Sequence, residues 1–479
     1  MLEDEHDARL SALAARARDE MERVEAFGRV WLDAPARASA FDYNVVICGA
    51  GMSGLAVAFG LKRRGVRGVA LIDQRERGAE GPWLTCARMK TLRSPKSLAG
   101  PDLGLPSLTP RSWFEAKYGE AAWGPLDRIG REDWMDYLCW FREMTGPEVH
   151  NSCRLVAIRP EGDGLALTLE GGDLPREIRC RRLVIATGLE GSGAARIPEA
   201  VRTLPKRLWT HSAEPRPDPE FRDREFVVLG VGASGFDWAV TALEGGARAV
   251  TVVARSADLG RTEVLDWTNF PGFLAHMPDL PDAERRRFAH LYFSFKTPPT
   301  QDQFDRVVNH RNARLALGRQ IETIEAVGER IRLQTHEGPI EADHLLLGVG
   351  YEMNLAAREE TRGLAPHIAF WRDRAPPGPE ETPASAAFLD AHPYLGRGFE
   401  LTPRDEARDS WTRRIHLFNN TAIASLGPIS NGVTGMKYGA PRLADAVSGS
   451  LFREQAGRFA DALAAYRHPH FDPRGHAES

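Results

Sequence analysis

Two glycine clusters carry the clearest chemistry in this chain. Gly49-Ala-Gly51-Met52-Ser53-Gly54 follows the apolar run Val45-Val46-Ile47-Cys48 and opens a segment, Leu55 to Arg64, that reads as a helix stopped by Gly65. Strand, glycine turn and helix in that order make a phosphate cradle. Gly49 permits the tight turn and Gly51 lets the backbone approach a pyrophosphate. Gly54 brings the helix against the sheet, so that its N-terminal N–H groups and dipole face the phosphates. The next strand runs from Val69 to Asp73, an acid placed to accept hydrogen bonds from a ribose diol, with Gln74 beside it. The pattern returns as Phe226-Val227-Val228-Leu229, then Gly230-Val-Gly232-Ala-Ser234-Gly235, a helix from Phe236, and the strand Val250–Ala254. This copy ends on Arg255-Ser256, where a guanidinium and a hydroxyl can hold a 2′-phosphate that an acid would repel. The first turn therefore predicts a dinucleotide with a free ribose, and the second predicts NADPH.

Such turns work only at the ends of parallel strands. Leu183-Val184-Ile185 runs into Ala186-Thr187-Gly188, and Leu345-Leu346-Leu347 into Gly348-Val349-Gly350-Tyr351. The expected fold class is α/β with two Rossmann-like dinucleotide-binding domains. Ahead of them, residues 1–38 read as one amphipathic helix with Leu10, Leu13, Ala17, Met21, Val24 and Trp31 on one face. It is expected to pack on the main body or on a second subunit, which leaves room for a homodimer. Residues 262–325 carry helical periodicity and many aromatics, among them Trp267, Phe273 and Phe288, and predict a mostly helical insert with an aromatic core. Residues 360–412, rich in Pro, Glu and Ala, predict a long surface excursion.

Composition removes several classes of function. Lys and Arg total 62 against 66 Asp and Glu, a net charge of −4, which leaves no basic face for nucleic acid. No apolar run reaches the ~18 residues of a membrane span. The acidic opening Met-Leu-Glu-Asp-Glu-His-Asp predicts no secretory or transit peptide. The five cysteines are odd in number and form no Cys-x-x-Cys, which argues against a disulfide framework or a zinc site and fits a reducing, cytoplasmic setting. His468 and His470 lack partners at metal-ligand spacing.

Taken in order, the motifs resemble the class B flavin-dependent monooxygenases over roughly residues 42–450. The resemblance implies FAD at 49–54 and NADPH at 230–235. It divides the chain into an N-terminal helix (1–40), a FAD-binding domain in two parts (41–215 and 351–479), and an NADPH-binding domain (216–350) that carries the helical insert. Arg196-Ile197-Pro198 with Trp209-Thr210-His211-Ser212 is similar to the family's linker. The Baeyer–Villiger form of that linker has Phe and Gly where this chain has Pro205 and Arg207. Gly81-Pro82-Trp83 resembles a turn near the flavin, without the Tyr-Pro-Gly that follows it in Baeyer–Villiger enzymes. Thr91-Leu92-Arg93-Ser94-Pro95-Lys96 is similar to the Leu-x-x-Pro-Lys segment of flavin-containing members. Those place an Asn against the flavin peroxide; here Arg93 and Ser94 are the catalytic candidates. The turn at Gly350-Tyr351 resembles the family's Ala-Thr-Gly-Tyr, and Leu426 to Asn431-Gly432 the segment that closes over the flavin ring. Trp83, Thr187 and Gly188 join the cofactor-binding set, and Lys437 is a further candidate for a flavin phosphate or a substrate carboxylate.

The activity so implied is reduction of FAD by NADPH, capture of molecular oxygen as a C4a-(hydro)peroxyflavin, and oxygenation of a small organic substrate. N-hydroxylation or N/S-oxidation of an amine, amino acid or sulfide leads. Baeyer–Villiger oxygenation of a ketone and an NADPH-dependent flavoprotein reductase or oxidase stay open. Disulfide reductases share the paired turns but need a redox-active Cys pair, and this sequence has none.

Overall fold

Both glycine turns lie at the carboxyl ends of parallel strands. The computed structural model describes residues 2–215, 218–468, 470 and 471. Its first sheet is centred on Tyr43–Cys48, with Val69–Ile72 and Glu177–Ile185 parallel on either side. Glu148–His150 and Ile415–Leu417 extend the parallel set, and Cys153–Glu161 with Gly164–Gly171 adds an antiparallel hairpin. The second sheet is parallel throughout, in the order Ala313–Ala316, Ala249–Val253, Glu225–Leu229, His344–Leu347, Trp209–His211. Val45, Val46 and Ile47 in one sheet, and Leu345 to Leu347 in the other, are fully buried, as strands covered on both faces must be. The chain passes between the sheets twice. Gly193–Ala195 and Tyr351–Met353 pair antiparallel at those crossings.

Several elements depart from the sequence reading. The N-terminal helix stops at Arg23 rather than near 38, because Glu25 (φ 46°) and Gly28 (φ 26°) turn the chain. Leu13, Ala17 and Met21 are buried on the chain's own body, against the helix Pro110–Tyr118, whereas Val24 is 56% exposed. Arg16 donates to Ser107 Oγ (3.0 Å), and that hydroxyl donates to Glu20 (2.7 Å). The apolar face is thus used up within the chain, which removes the sequence argument for a dimer. The insert is mostly helical, with Val264–Thr268, Pro271–His276, Asp282–Ser294 and Gln301–Val308, but Ala313–Ala316 already belongs to the second sheet as its edge strand. Three of its aromatics form one cluster at the surface: Phe273 and Phe288 pack with centroids 5.3 Å apart, and Trp267 packs on Phe273 at 5.6 Å while staying 59% exposed.

The expected surface excursion is packed instead. Leu364, Ile368, Trp371, Phe399 and Leu401 are buried, so a few large apolar residues anchor a stretch whose average composition is polar. Its link to the insert is ionic. Arg286, on Asp282–Ser294, is buried and pairs with Glu381 and Asp390, each at 2.7 Å, and donates to the Ala375 carbonyl at 3.0 Å. Among the described residues no helix is long and apolar enough to cross a membrane.

Two outcomes follow. Arg286→Met strands the buried Glu381 carboxylate and should cost about 3 kcal/mol in equilibrium unfolding, with part recovered when Glu381→Leu is added. His344 and His392 are buried and neutral, each pushed down to about 4 by loss of solvation. Their ordinary value of 6.5 holds in the unfolded chain, so the unfolded state binds more protons below it. Their contribution to stability is therefore full above pH 6.5, falls as the pH drops through that value, and stops falling near 4. His392→Phe, which keeps the contacts to Phe293 and Phe388, should flatten this fall in a Tm-against-pH series.

Candidate functional site

One cavity of about 1410 Å³ runs between the two glycine turns and is bounded by both. The turns are built alike. Gly49 and Gly230 each have φ 108°, and a Cβ on either would lie 2.6 or 2.4 Å from the carbonyl oxygen of Ala186 or Gly348 on the neighbouring strand end. A Cβ on Gly54 or Gly235 would fall 1.9 or 2.1 Å from the oxygen of Gly49 or Gly230. These four glycines are required by the protein's own backbone. Gly51 differs, because a Cβ there meets nothing nearer than Gly81, at 3.8 Å, and the space ahead of it is cavity. Gly51 and Gly232 cap the helices Met52–Arg63 and Ala233–Glu244 without any side-chain acceptor. The first N–H groups of Met52–Arg63 are left for an anion; at the second helix Ala233 N–H already donates to the Thr297 carbonyl (3.1 Å), which leaves the Ser234 N–H and the strand-end Arg255-Ser256, so the residues present still fit two dinucleotides.

The structure brings most of the predicted residues to this cavity. Met52, Ser53, Asp73, Gln74, Trp83, Thr187 and Gly188 line it from the first sheet, and Ser234, Arg255 and Ser256 from the second. Gly350, Tyr351 and Asn431 complete the walls. Asp73 is buried, and its carboxylate accepts from the N–H groups of Ala50 and Arg75, both at 2.8 Å. Burial raises its pKa and those two hydrogen bonds oppose the rise. Arg255 is exposed at the strand end and has no hydrogen bond or ion pair among the described residues. Asn431 donates to Asn420 (2.7 Å), and the loop before it is tied to the first turn by Ser53 Oγ donating to the Ser430 carbonyl (3.2 Å).

Other candidates lie elsewhere. Gly54 and Gly235 sit behind their turns, and Ser94, Gly432 and Lys437 do not line the cavity; Lys437 is on the exposed side of its helix. His211 is a packed histidine. Its Nδ1 accepts from Ala213 N–H (3.0 Å), so Nε2–H donates to the Gly350 carbonyl (3.1 Å), and burial lowers its pKa.

Sequence reasoning missed a charged cluster on the wall between the turns. Arg93 Nη2 pairs with Glu263 at 2.7 Å. Asp237 lies two positions beyond Gly235, accepts from Gln303, and is raised to about 6 by burial, against the pull of Arg93. Arg88 stacks 3.7 Å over Trp238 and pairs with Asp218 at 2.6 Å. Only the acid inside the helix after the second turn was a visible signal; the partners are far apart in sequence.

Known proteins bear on this arrangement. Residues 43–269 match the family model described as pyridine nucleotide-disulphide oxidoreductase. An FAD-dependent urate hydroxylase of Xanthomonas campestris pv. campestris is 35% identical over 467 residues, which span 96% of this chain and 97% of that protein. Ornithine N-hydroxylase KtzI of Kutzneria sp. 744, solved with reduced FAD, NADP+ and L-ornithine, is similar in fold, with a TM-score of 0.64 at 16% identity over 85% of this chain and 99% of that one. The FAD-bound cadaverine monooxygenase DfoA of Erwinia amylovora gives a TM-score of 0.63 at 14% identity over 86% and 95%.

The glycine geometry separates two kinds of variant. Gly51→Val should fold with an unchanged apoprotein Tm yet purify without dinucleotide, read as flavin absorbance per protein. Gly54→Ala should lower the Tm itself, because its Cβ has nowhere to go.

Proposed function

Because the chain belongs to the class B flavin-dependent monooxygenase family, we propose that it hydroxylates a small, planar, nitrogen-rich substrate of the urate kind, using FAD, NADPH and molecular oxygen. The observation that carries this reading is the single cavity shared by two uncapped glycine turns, one followed by an acid and the other by Arg255-Ser256. The near full-length relative supports the substrate class.

Bound FAD would supply hydride acceptance and oxygen activation, and the chain's own residues hold and orient. The N–H groups at the start of Met52–Arg63 would hold the FAD pyrophosphate, and Asp73 its ribose. The Ser234 N–H, in the first turn of Ala233–Glu244, would take the NADPH pyrophosphate, with Arg255 and Ser256 on the 2′-phosphate. Thr187, Gly188, Tyr351 and Asn431 would form the walls about the ring system, and Trp83 would exclude water. Of the two catalytic candidates, Arg93 and Ser94, it is Arg93 that lines the cavity. The cytoplasm is the proposed location, on the strength of the unpaired cysteines.

N-hydroxylation of an amine or amino acid is the second reading, favoured by the shared fold with KtzI and DfoA. No observation favours Baeyer–Villiger chemistry: Pro205 and Arg207 stand in the linker, and the Tyr-Pro-Gly stretch is missing.

The test is oxygen uptake and NADPH oxidation by FAD-loaded protein with urate, L-ornithine or cadaverine. Urate should disappear in step with NADPH. Unchanged NADPH oxidation, with all the oxygen recovered as hydrogen peroxide, overturns the oxygenase reading, and amine-dependent turnover selects the second one. Arg255→Ala should raise the KM for NADPH about tenfold or more while leaving that for NADH nearly unmoved.

A further inference from the structure

We propose that Arg93 is a substrate-recognition residue, donating through Nη1 to an oxo or oxyanion oxygen of the substrate, and that Glu263 is its positioning residue. This rests on the oxygenase reading above and names the group that selects the substrate.

The guanidinium is pinned by Glu263 and lies within the electrostatic pull of Asp237, with which it makes no hydrogen bond or ion pair among the described residues. Nη2 is engaged by Glu263 Oε2 at 2.7 Å. The other oxygen of that carboxylate accepts from the Leu265 N–H (3.1 Å) at the start of Val264–Thr268, so Glu263 is itself fixed from behind. Arg128 donates to the Arg93 carbonyl and fixes the backbone. Nη1, by contrast, is buried and has no acceptor among the described residues. A buried guanidinium N–H without a partner is costly, and native proteins rarely leave one. Arg93 lines the cavity, so the missing acceptor belongs to what fills it.

The dinucleotide phosphates have donors of their own in the start of Met52–Arg63, the Ser234 N–H and Arg255. What remains for Arg93 is the reacting molecule. A planar fork with one arm pinned suits an oxygen in the plane of a ring, because the pinned arm fixes the direction in which the free N–H points. An alkyl ammonium offers no acceptor to that N–H. Glu263 comes from the helical insert and Arg93 from the segment after the first glycine turn, so recognition is assembled from both sides of the cavity.

The experiment uses FAD-loaded protein and urate as the probe, comparing wild type with Arg93→Met, Arg93→Lys and Glu263→Gln; the last keeps an oxygen able to accept from Leu265. Urate affinity is read from the flavin absorbance change on titration and from KM. Controls are FAD content, the KM for NADPH and the rate of flavin reduction by NADPH without substrate. Arg93→Met should weaken urate about tenfold or more and Arg93→Lys less, a loss several times larger than any change in FAD content or in the KM for NADPH. Glu263→Gln should raise the urate KM more than it lowers kcat. Unchanged urate affinity in Arg93→Met, with wild type still turning urate over, overturns this assignment alone. A rise in the NADPH KM that matches the urate loss overturns it too, by giving Arg93 to the dinucleotide. Failure of wild type to bind or oxidise urate sinks the substrate reading and the assignment together.

Discussion

The close approach of backbone to backbone at the two glycine turns is the constraint on which the rest depends. Each helix starts so near the strand it follows that a single methyl at Gly54 or Gly235 would collide with the carbonyl of Gly49 or Gly230. That proximity aims both helix starts, neither of them capped by a side chain, at one shared space. A helix set further back, or capped by its own serine or aspartate, would leave less positive potential for an anion. The strands around each turn are apolar because they are covered on both faces, and they hold the turns at fixed height. Chemistry in the cavity begins with geometry that no catalytic side chain supplies.

Local pattern made this part readable. Glycine spacing, short valine-rich runs and the residue closing the next strand are short-range signals, and Gly49 to Gly54, Asp73, Gly230 to Gly235 and Arg255 all stand where such signals put them around the cavity. What was not legible depended on distance along the chain. Arg93 meets Glu263, and Arg286 meets Glu381, across intervals that no periodicity spans. The excursion at 360–412 was misread because composition averages over residues, whereas burial is decided by a few, such as Trp371 and Phe399. The N-terminal helix was read too long because its spacing of apolar residues continues past Glu25, where the backbone turns with no sequence marker as plain as proline. Lys437 fell to the same ambiguity. A lysine one turn into a helix can face a ligand or the solvent, and here it faces the solvent.

The two passages of chain between the sheets are coupled as well as adjacent. Gly350 accepts from both the Arg196 N–H (2.9 Å) and His211 Nε2–H, so the outgoing linker and the returning strand share one carbonyl. The histidine that sequence motifs drew attention to is thus part of this joint. Its neutral form is fixed by Ala213 on the other nitrogen, and Tyr351 beside it forms the cavity wall.

The buried Arg286 network has a mechanical consequence. Its arginine belongs to a helix in the insert that leaves and rejoins the second sheet, and its carboxylates belong to the stretch that runs from the crossing strand Tyr351–Met353 into the first sheet at Ile415–Leu417. The two halves are therefore fastened at two places, by the paired strands at the crossings and by this ionic bolt. A body held at two separate points cannot swing freely about either one. Any rearrangement of bound dinucleotides would then fall to the ligands and the cavity side chains rather than to a free swing of one half on the other.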